Sequence, residues 1–188
     1  MPKISEDKRG ARRRQILDAA RRCFQRDGLH RATMVDIIAA SGLSAGAVYL
    51  YFQSKDEMIR AAVVDALDEL SRALTLALNP PPSGPGELAA RAAAVIDGLS
   101  SGGVDLRGLA LLGWSEAQRD PELKTVMEVR YRGFRRLLAE AAEAWRNEGT
   151  ASGDADVVAK TLLSLLLGYV VQAALLGDMA PSDLAGLG

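Results

Sequence analysis

Three consecutive arginines, Arg12, Arg13 and Arg14, carry the side chains of this sequence best fitted to hold phosphate. A guanidinium donates in a fixed fork that matches phosphate oxygens. The pattern starts a helix near residue 12, and positive charge at a helix start opposes the macrodipole. Helix stability therefore does not explain the triplet, whereas nearby phosphates do. Charge along the chain agrees. Residues 1–60 hold 12 Lys/Arg and 7 Asp/Glu, a difference of +5, and residues 61–188 hold 11 against 17, a difference of −6. A basic segment on an acidic remainder suits a protein that sets one end on phosphates and keeps the other off them. Other chemistry is sparse. Cys23 and His30 are the only residues of their types, so there is no intrachain disulfide, no Cys/His metal set and no nucleophile–base pair. No Gly-rich phosphate loop occurs either, and the expectation is a non-enzyme without metal or cofactor. Cys23 falls on an apolar helix face and reads as a packed, inert thiol, while His30 reads as an exposed loop residue.

The elements that must position these cations follow from periodicity. Ile16, Leu17, Ala20, Cys23 and Phe24 form one apolar face of a first helix that Gly28 ends; residues 1–11 read as an adaptable basic arm. Residues 33–57 read TMVDIIAASGLSAGAVYLYFQSKDE. Thr33 can cap a short helix carrying Met34, Ile37 and Ile38, and Gly42 supplies a tight turn. Ser44 can cap a second helix with Val48, Tyr49, Tyr51 and Phe52, and Ser54 with Glu57 has the spacing of a capping box opening a third. Helix, glycine turn and helix is the outline of a helix-turn-helix, whose second helix enters the DNA major groove.

A helix of about 24 residues, about 36 Å long, then runs from about Lys55 to Leu78 and stops at the proline-rich residues 79–86. Further helices are expected over residues 87–99, from Asp105 to about Arg119, over 121–147 behind the Asp120 cap and Pro121, and over 156–176. The strongest apolar run, residues 161–176, is shorter than the ~20 residues a membrane span needs and is broken by Ser164, Gly168 and Gln172. It reads as a helix buried on two sides, which one neighbouring surface cannot satisfy. An antiparallel hairpin of the last two long helices, paired with the same hairpin of a second copy, would bury it in a two-fold four-helix interface. No β-pattern or repeat is visible. The fold class expected is all-α, with an N-terminal three-helix DNA-binding domain and basic arm over residues 1–56 and a C-terminal helical domain over 57–188.

Thr33, Gly42-Leu43-Ser44, Gly46, Tyr49, Tyr51-Phe52 and Ser54-Lys55, standing in register, resemble the DNA-binding signature of tetracycline-repressor-like (TetR family) transcriptional regulators. The likeness covers roughly residues 12–60; the rest agrees only in length and helical layout. It implies that the helix matching residues 45–51 enters the major groove, that the residue matching Tyr49 contacts phosphate, and that those matching Thr33 and Lys55 contact the DNA backbone. The DNA-contact set expected is Arg13, Arg14, Thr33, Ser44, Ala45, Ala47, Tyr49, Leu50 and Lys55. Positions 45, 47 and 50 depart from the family pattern, being Ala, Ala and Leu where polar or basic residues are frequent. Direct readout is then limited to contacts such as thymine methyl groups, and the N-terminal arginines can read a narrow A·T-rich minor groove. The resemblance further implies a C-terminal effector cavity, for which Trp114, Gln118, Met127, Tyr131, Phe134, Tyr169 and Gln172 are the candidate lining residues, the two glutamines as buried amides in need of partners. Expected partners are a double-stranded operator, a small-molecule effector and a second copy, in the cytoplasm and with no membrane. The competing reading is a ligand-independent dimeric DNA-binding architectural protein.

Overall fold

The computed structural model describes residues 6–101, 104–150 and 152–186. Eight α-helices follow one another: α1 (Glu6–Asp27), α2 (Met34–Ser41), α3 (Ala45–Tyr49), α4 (Lys55–Ala77), α5 (Pro85–Asp97), α6 (Leu106–Ala117), α7 (Pro121–Asn147) and α8 (Ala155–Leu175). The all-α class holds. Two two-residue strands that the sequence pattern did not signal, β1 (Ser100–Ser101) and β2 (Val104–Asp105), pair antiparallel with Ser101 opposite Val104, and a 3-10 turn spans Pro181–Leu184. Gly102 and Gly103 lie outside the described residues.

Two compact units result, residues 1–66 with 100–115 and residues 67–99 with 116–188, so the division falls inside α4 and again inside α6. In the first, the apolar face of α1 (Ile16, Leu17, Ala20, Cys23, Phe24) is buried, as are Ile37 of α2, Val48 of α3, Phe52, and Met58, Ile59, Ala62 and Val63 of α4. Gly113 of α6 approaches α4 so closely that a Cβ there would stand 2.7 Å from Val63 Cγ1. A Cβ there requires the Val63 side chain or the helix backbone to shift.

One expectation needs correcting. The first helix starts at Glu6, not near Arg12, so Lys8 and Arg9 belong to α1 and not to an arm, of which residues 1–5 lie outside the described residues. Asp7 supplies acidic charge to the first turn, which favours initiation, and Gly10 costs a helix only about 1 kcal/mol. The arginine triplet therefore lies in the helix interior, and its conflict with the helix dipole disappears.

In the second unit α7 and α8 form the expected hairpin. Asp120 caps α7 by accepting from the N–H groups of Glu122 and Leu123, at 3.0 and 3.1 Å, with Pro121 in the first helical position. Asp154 caps α8 likewise, accepting from Asp156 and Val157. Leu123, Met127, Phe134, Leu138 and Trp145 of α7 and Ala159, Leu162, Leu166 and Tyr169 of α8 are buried. The proline-rich segment is pinned from both sides: Trp145 Nε1 donates to the Pro82 carbonyl at 2.7 Å, and Arg91 Nη1 to that of Pro80 at 2.6 Å.

Candidate nucleic-acid interface

Each of the three short elements at the candidate interface is held by a polar contact at its end. Thr33 caps α2 reciprocally: its Oγ1 accepts from the Asp36 N–H at 3.2 Å while the Asp36 carboxylate accepts from the Thr33 N–H at 3.0 Å. The Thr33 hydroxyl also donates to Asp36, and these bonds hold the Asp36 carboxyl below its ordinary range. Gly42, at φ 69°, makes the left-handed turn after α2 that L side chains avoid. That turn is fixed from outside by α1, where Gln15 Nε2 donates to the Ser41 carbonyl at 2.9 Å, and from inside by Ser41 Oγ, which donates to the Ile38 carbonyl and accepts from the Leu43 N–H.

Ser44 caps α3, accepting from the Ala47 N–H at 3.3 Å. The α-helix proper ends at Tyr49, so Leu50 is its C-cap and Tyr51 follows it. Val48 and Phe52 are buried, which turns Ala45, Tyr49 and Leu50 outward: Leu50 is 76% exposed and Tyr49 43%. The Ser54–Glu57 capping box forms only in part. Ser54 Oγ accepts from the Glu57 N–H at 3.2 Å, but the Glu57 carboxylate accepts from the Gln53 N–H, one residue upstream.

The cations are less free than the sequence suggests. Arg13 lies over the buried Phe52 ring, its guanidinium carbon 4.9 Å from the centroid, a cation–π stack joining α1 to the segment after α3. Beside it a groove of about 340 Å³ is lined by Arg9, Gly10, Arg13, Leu50 and Tyr51. Arg9 and Tyr51 are absent from the expected contact set; the one-turn spacing of Arg9 from Arg13 was the available signal. Lys55, at the start of α4, donates from Nζ to the His30 carbonyl at 2.9 Å, and Arg12 donates to Gln15 at 3.0 Å. Arg14 is exposed. Beneath this surface Arg21 is buried and binds Asp65 of α4 and, at 3.5 Å, Asp18. Cys23 is buried too, and its thiol pKa is raised because burial disfavours the thiolate, as an inert packed thiol requires.

Residues 16–62 match the model of the bacterial regulatory proteins of the tetR family, and residues 108–186 match that of the BetI-type transcriptional repressor C-terminal domain. Along 99% of its length the chain is 31% identical to the HTH-type transcriptional regulator YfiR of Bacillus subtilis, covering 91% of that protein. The chain belongs to the TetR family of transcriptional regulators. It is also similar to the Escherichia coli regulator BetI, 29% identical over 98% of this chain and 92% of BetI. A transcriptional regulator from Saccharomonospora viridis, determined in complex with choline, shares the fold at a TM-score of 0.77 and 21% identity, over 94% of this chain and 92% of that one.

In this TetR-family chain the candidate effector residues do not converge as one set. Met127, Phe134 and Tyr169 are buried in the second unit, where the Tyr169 hydroxyl donates to Asp97 at 2.6 Å. Tyr131, half-buried, sets its ring edge-on to Phe134 with centroids 5.6 Å apart. Trp114 belongs to the first unit and is half-buried. Gln118 and Gln172 are exposed, so neither is the buried amide that was expected: Gln118 falls in the turn just past the end of α6, and Gln172 sits on the solvent side of α8. Periodicity places a residue on a helix but cannot fix the side from which a neighbour arrives.

Proposed function

We propose that this TetR-family regulator binds a palindromic operator as a homodimer, acts as a repressor in the cytoplasm, and releases DNA when a small apolar or amphipathic effector enters its C-terminal helical unit. The observation that carries the DNA contact is the outward side of the capped α3, with Tyr49 and Leu50 exposed beside Arg9 and Arg13. Arg13, Arg14, Thr33, Ser44, Tyr49 and Lys55 take backbone contacts, and Ala45, Ala47 and Leu50 face base edges. Tyr131 and Phe134 are the favoured effector-facing pair, since an edge-on aromatic pair offers the apolar wall such a molecule needs.

Pairing of two copies through α7 and α8 is supported by α8, which is 21 residues long and apolar enough to cross a membrane, yet carries Asp156, paired with Lys160 at 2.6 Å, near its start. Its buried stripe is Ala155, Ala159, Leu162, Leu166 and Tyr169, whereas Val157 is 57% and Leu175 77% exposed. The apolar side chains outside that stripe, Val157 and Leu175 among them, are what a second copy would cover. Asp at Val157 and Leu175 should then halve the mass measured by light scattering; a wild-type monomer at micromolar concentration would refute the pairing. Leu166 is unsuitable for this test, because it is buried within the protomer.

Operator selection from random duplex DNA, followed by titration with and without compounds that raise the melting temperature, tests the whole reading. Choline, held by the Saccharomonospora viridis regulator, belongs in that screen. The expected coupling is about 1–3 kcal/mol, or about 5- to 150-fold in operator affinity, with DNA weakening effector binding by the same factor. A compound bound in the second unit that left operator affinity unchanged would favour the ligand-independent architectural protein instead.

A further inference from the structure

The second unit carries a concentration of positive charge that the apolar effector reading does not use. A cleft of about 320 Å³ between the middle of α7 and the first turn of α8 is lined by Arg132, Arg135, Arg136, Ala139 and Asp156. Arg135 donates from Nη2 to Asp156 at 3.0 Å, and Lys160 donates to the other oxygen of the same carboxylate at 2.6 Å. Arg132 stands 3.7 Å from Glu128, a loose contact with 76% of the arginine side chain exposed. Arg136 is exposed and has no carboxylate partner among the described residues. Arg135 Nε is buried without an acceptor. Arg132, Arg135, Arg136 and Lys160 thus bring four positive charges against two negative ones on Glu128 and Asp156, an excess of two.

Like charges one helical turn apart, as at 132 and 136, oppose helix formation unless something of opposite sign stands between them. Asp156 already divides its two oxygens between Arg135 and Lys160, so it serves Arg135 and leaves the outer two guanidinium groups to an outside acceptor. A guanidinium fork accepts two oxygens of one carboxylate or phosphate at once. The volume admits a molecule of roughly ten non-hydrogen atoms, at the lower end of ligand pockets.

We propose that this cleft is a binding site for a small dianionic oxyanion, a phosphate compound or a dicarboxylate, taken by Arg132 and Arg136 while Asp156 holds Arg135 in place. The site is separate from the apolar effector reading and does not depend on it.

Calorimetric titration of the full chain with inorganic phosphate at a pH slightly above 7, and separately with succinate, at ionic strength held constant with sodium chloride, tests this and distinguishes the two anion chemistries. The expected result is saturable binding of one of them at one equivalent per protomer, weakened about tenfold or more in R132Q/R136Q and unchanged in R146Q, which removes an exposed arginine of the same helix outside the cleft. R136Q alone, which leaves the Arg135–Asp156 and Arg132–Glu128 contacts in place, should weaken binding by a smaller factor, and circular dichroism checks the fold of each variant. Absence of saturable binding of either anion, or equal binding by R132Q/R136Q and wild type, overturns the proposal. It is overturned also if R132Q/R136Q loses mass in light scattering, since the arginines would then belong to a contact between two copies.

Discussion

Replacing Arg13 by lysine keeps the charge of α1 and removes the flat guanidinium face that rests on Phe52, so it separates what the position contributes by charge from what it contributes by being held. In the structure the guanidinium carbon of the exposed Arg13 is 4.9 Å from the centre of a ring that is fully buried, which gives the side chain a resting place on the protein before DNA arrives. A lysine there holds the ring less well and loses more freedom on binding, at a cost of up to about 0.5–1.5 kcal/mol for one side chain. In the proposed homodimer, two protomers on two half-sites double this to about 1–3 kcal/mol, or about 5- to 150-fold in affinity. The number of neutralised phosphates stays the same, so log affinity against log salt should keep its slope and move downward in parallel. Fluorescence anisotropy of a labelled operator duplex at several sodium chloride concentrations measures both quantities. Arg13→Gln, the control, should flatten the slope by about 0.9 per protomer, and Phe52→Leu should reproduce the parallel shift. Unchanged affinity in Arg13→Lys would refute the reasoning, as would a loss accompanied by a flatter slope.

Three further outcomes concern the scaffold. Arg21→Ala removes the buried partner of Asp65, and because Asp65 is itself 43% exposed the loss should fall at or below the low end for buried pairs, about 2–3 kcal/mol in urea denaturation; a loss under 0.5 kcal/mol would mean that the pair is incidental. Gly113→Ala brings a Cβ 2.7 Å from Val63 Cγ1 and should destabilise by about 1–3 kcal/mol, with Val63→Ala restoring part of the loss if the clash is the cause. Glu87, whose carboxylate accepts from the Ser83 N–H and hydroxyl and also pairs with Arg91, has its pKa pushed down to about 2 from 4.5. A depressed carboxyl stabilises the fold above its unfolded pKa and stops doing so as pH falls through the folded value. Wild type should therefore be more stable than Glu87→Gln near neutral pH, with the difference vanishing between about 4.5 and about 2; a difference that persisted at the acid end would contradict it.

Local signals were the legible part. Asp120-Pro121 and Gly28 mark helix ends by backbone chemistry within a few residues, so those ends could be read directly, and the helix-turn-helix was legible for the same reason in Thr33, Gly42 and Ser44. What could not be read depends on partners far along the chain. Gln15 reaches across 26 residues to the Ser41 carbonyl, and Arg21 across 44 to Asp65; before folding, each is an ordinary polar residue on a basic helix. Gln172 fails in the opposite direction, since an amide amid apolar neighbours in sequence occupies the solvent side of α8, and Gln118 falls past the end of α6 in an exposed turn. The start of α1 was missed because six charged residues among the first twelve look like a solvated arm, while the acid pair Glu6-Asp7 is a start signal that the later arginines obscure.

The division of labour in the helix-turn-helix follows from where its polar groups are spent. Asp36, Ser41, Gln15 and Gln53 all bond to backbone or to a capping group, and the Ser44 hydroxyl receives the Ala47 N–H, so most polar side chains around α3 fix the orientation of a five-residue helix too short to be stable alone. The side chains left facing outward are Ala45, Tyr49 and Leu50, which offer one hydroxyl and two apolar surfaces. Such a surface distinguishes a thymine methyl from its absence but makes no bidentate bond to guanine or adenine. On the proposed reading affinity comes from the phosphates, through Arg9, Arg13, Arg14 and Lys55, of which Arg13 rests over Phe52 and Lys55 bonds to the His30 carbonyl. Sequence preference has to come from how readily a site takes the groove shape that this fixed surface demands.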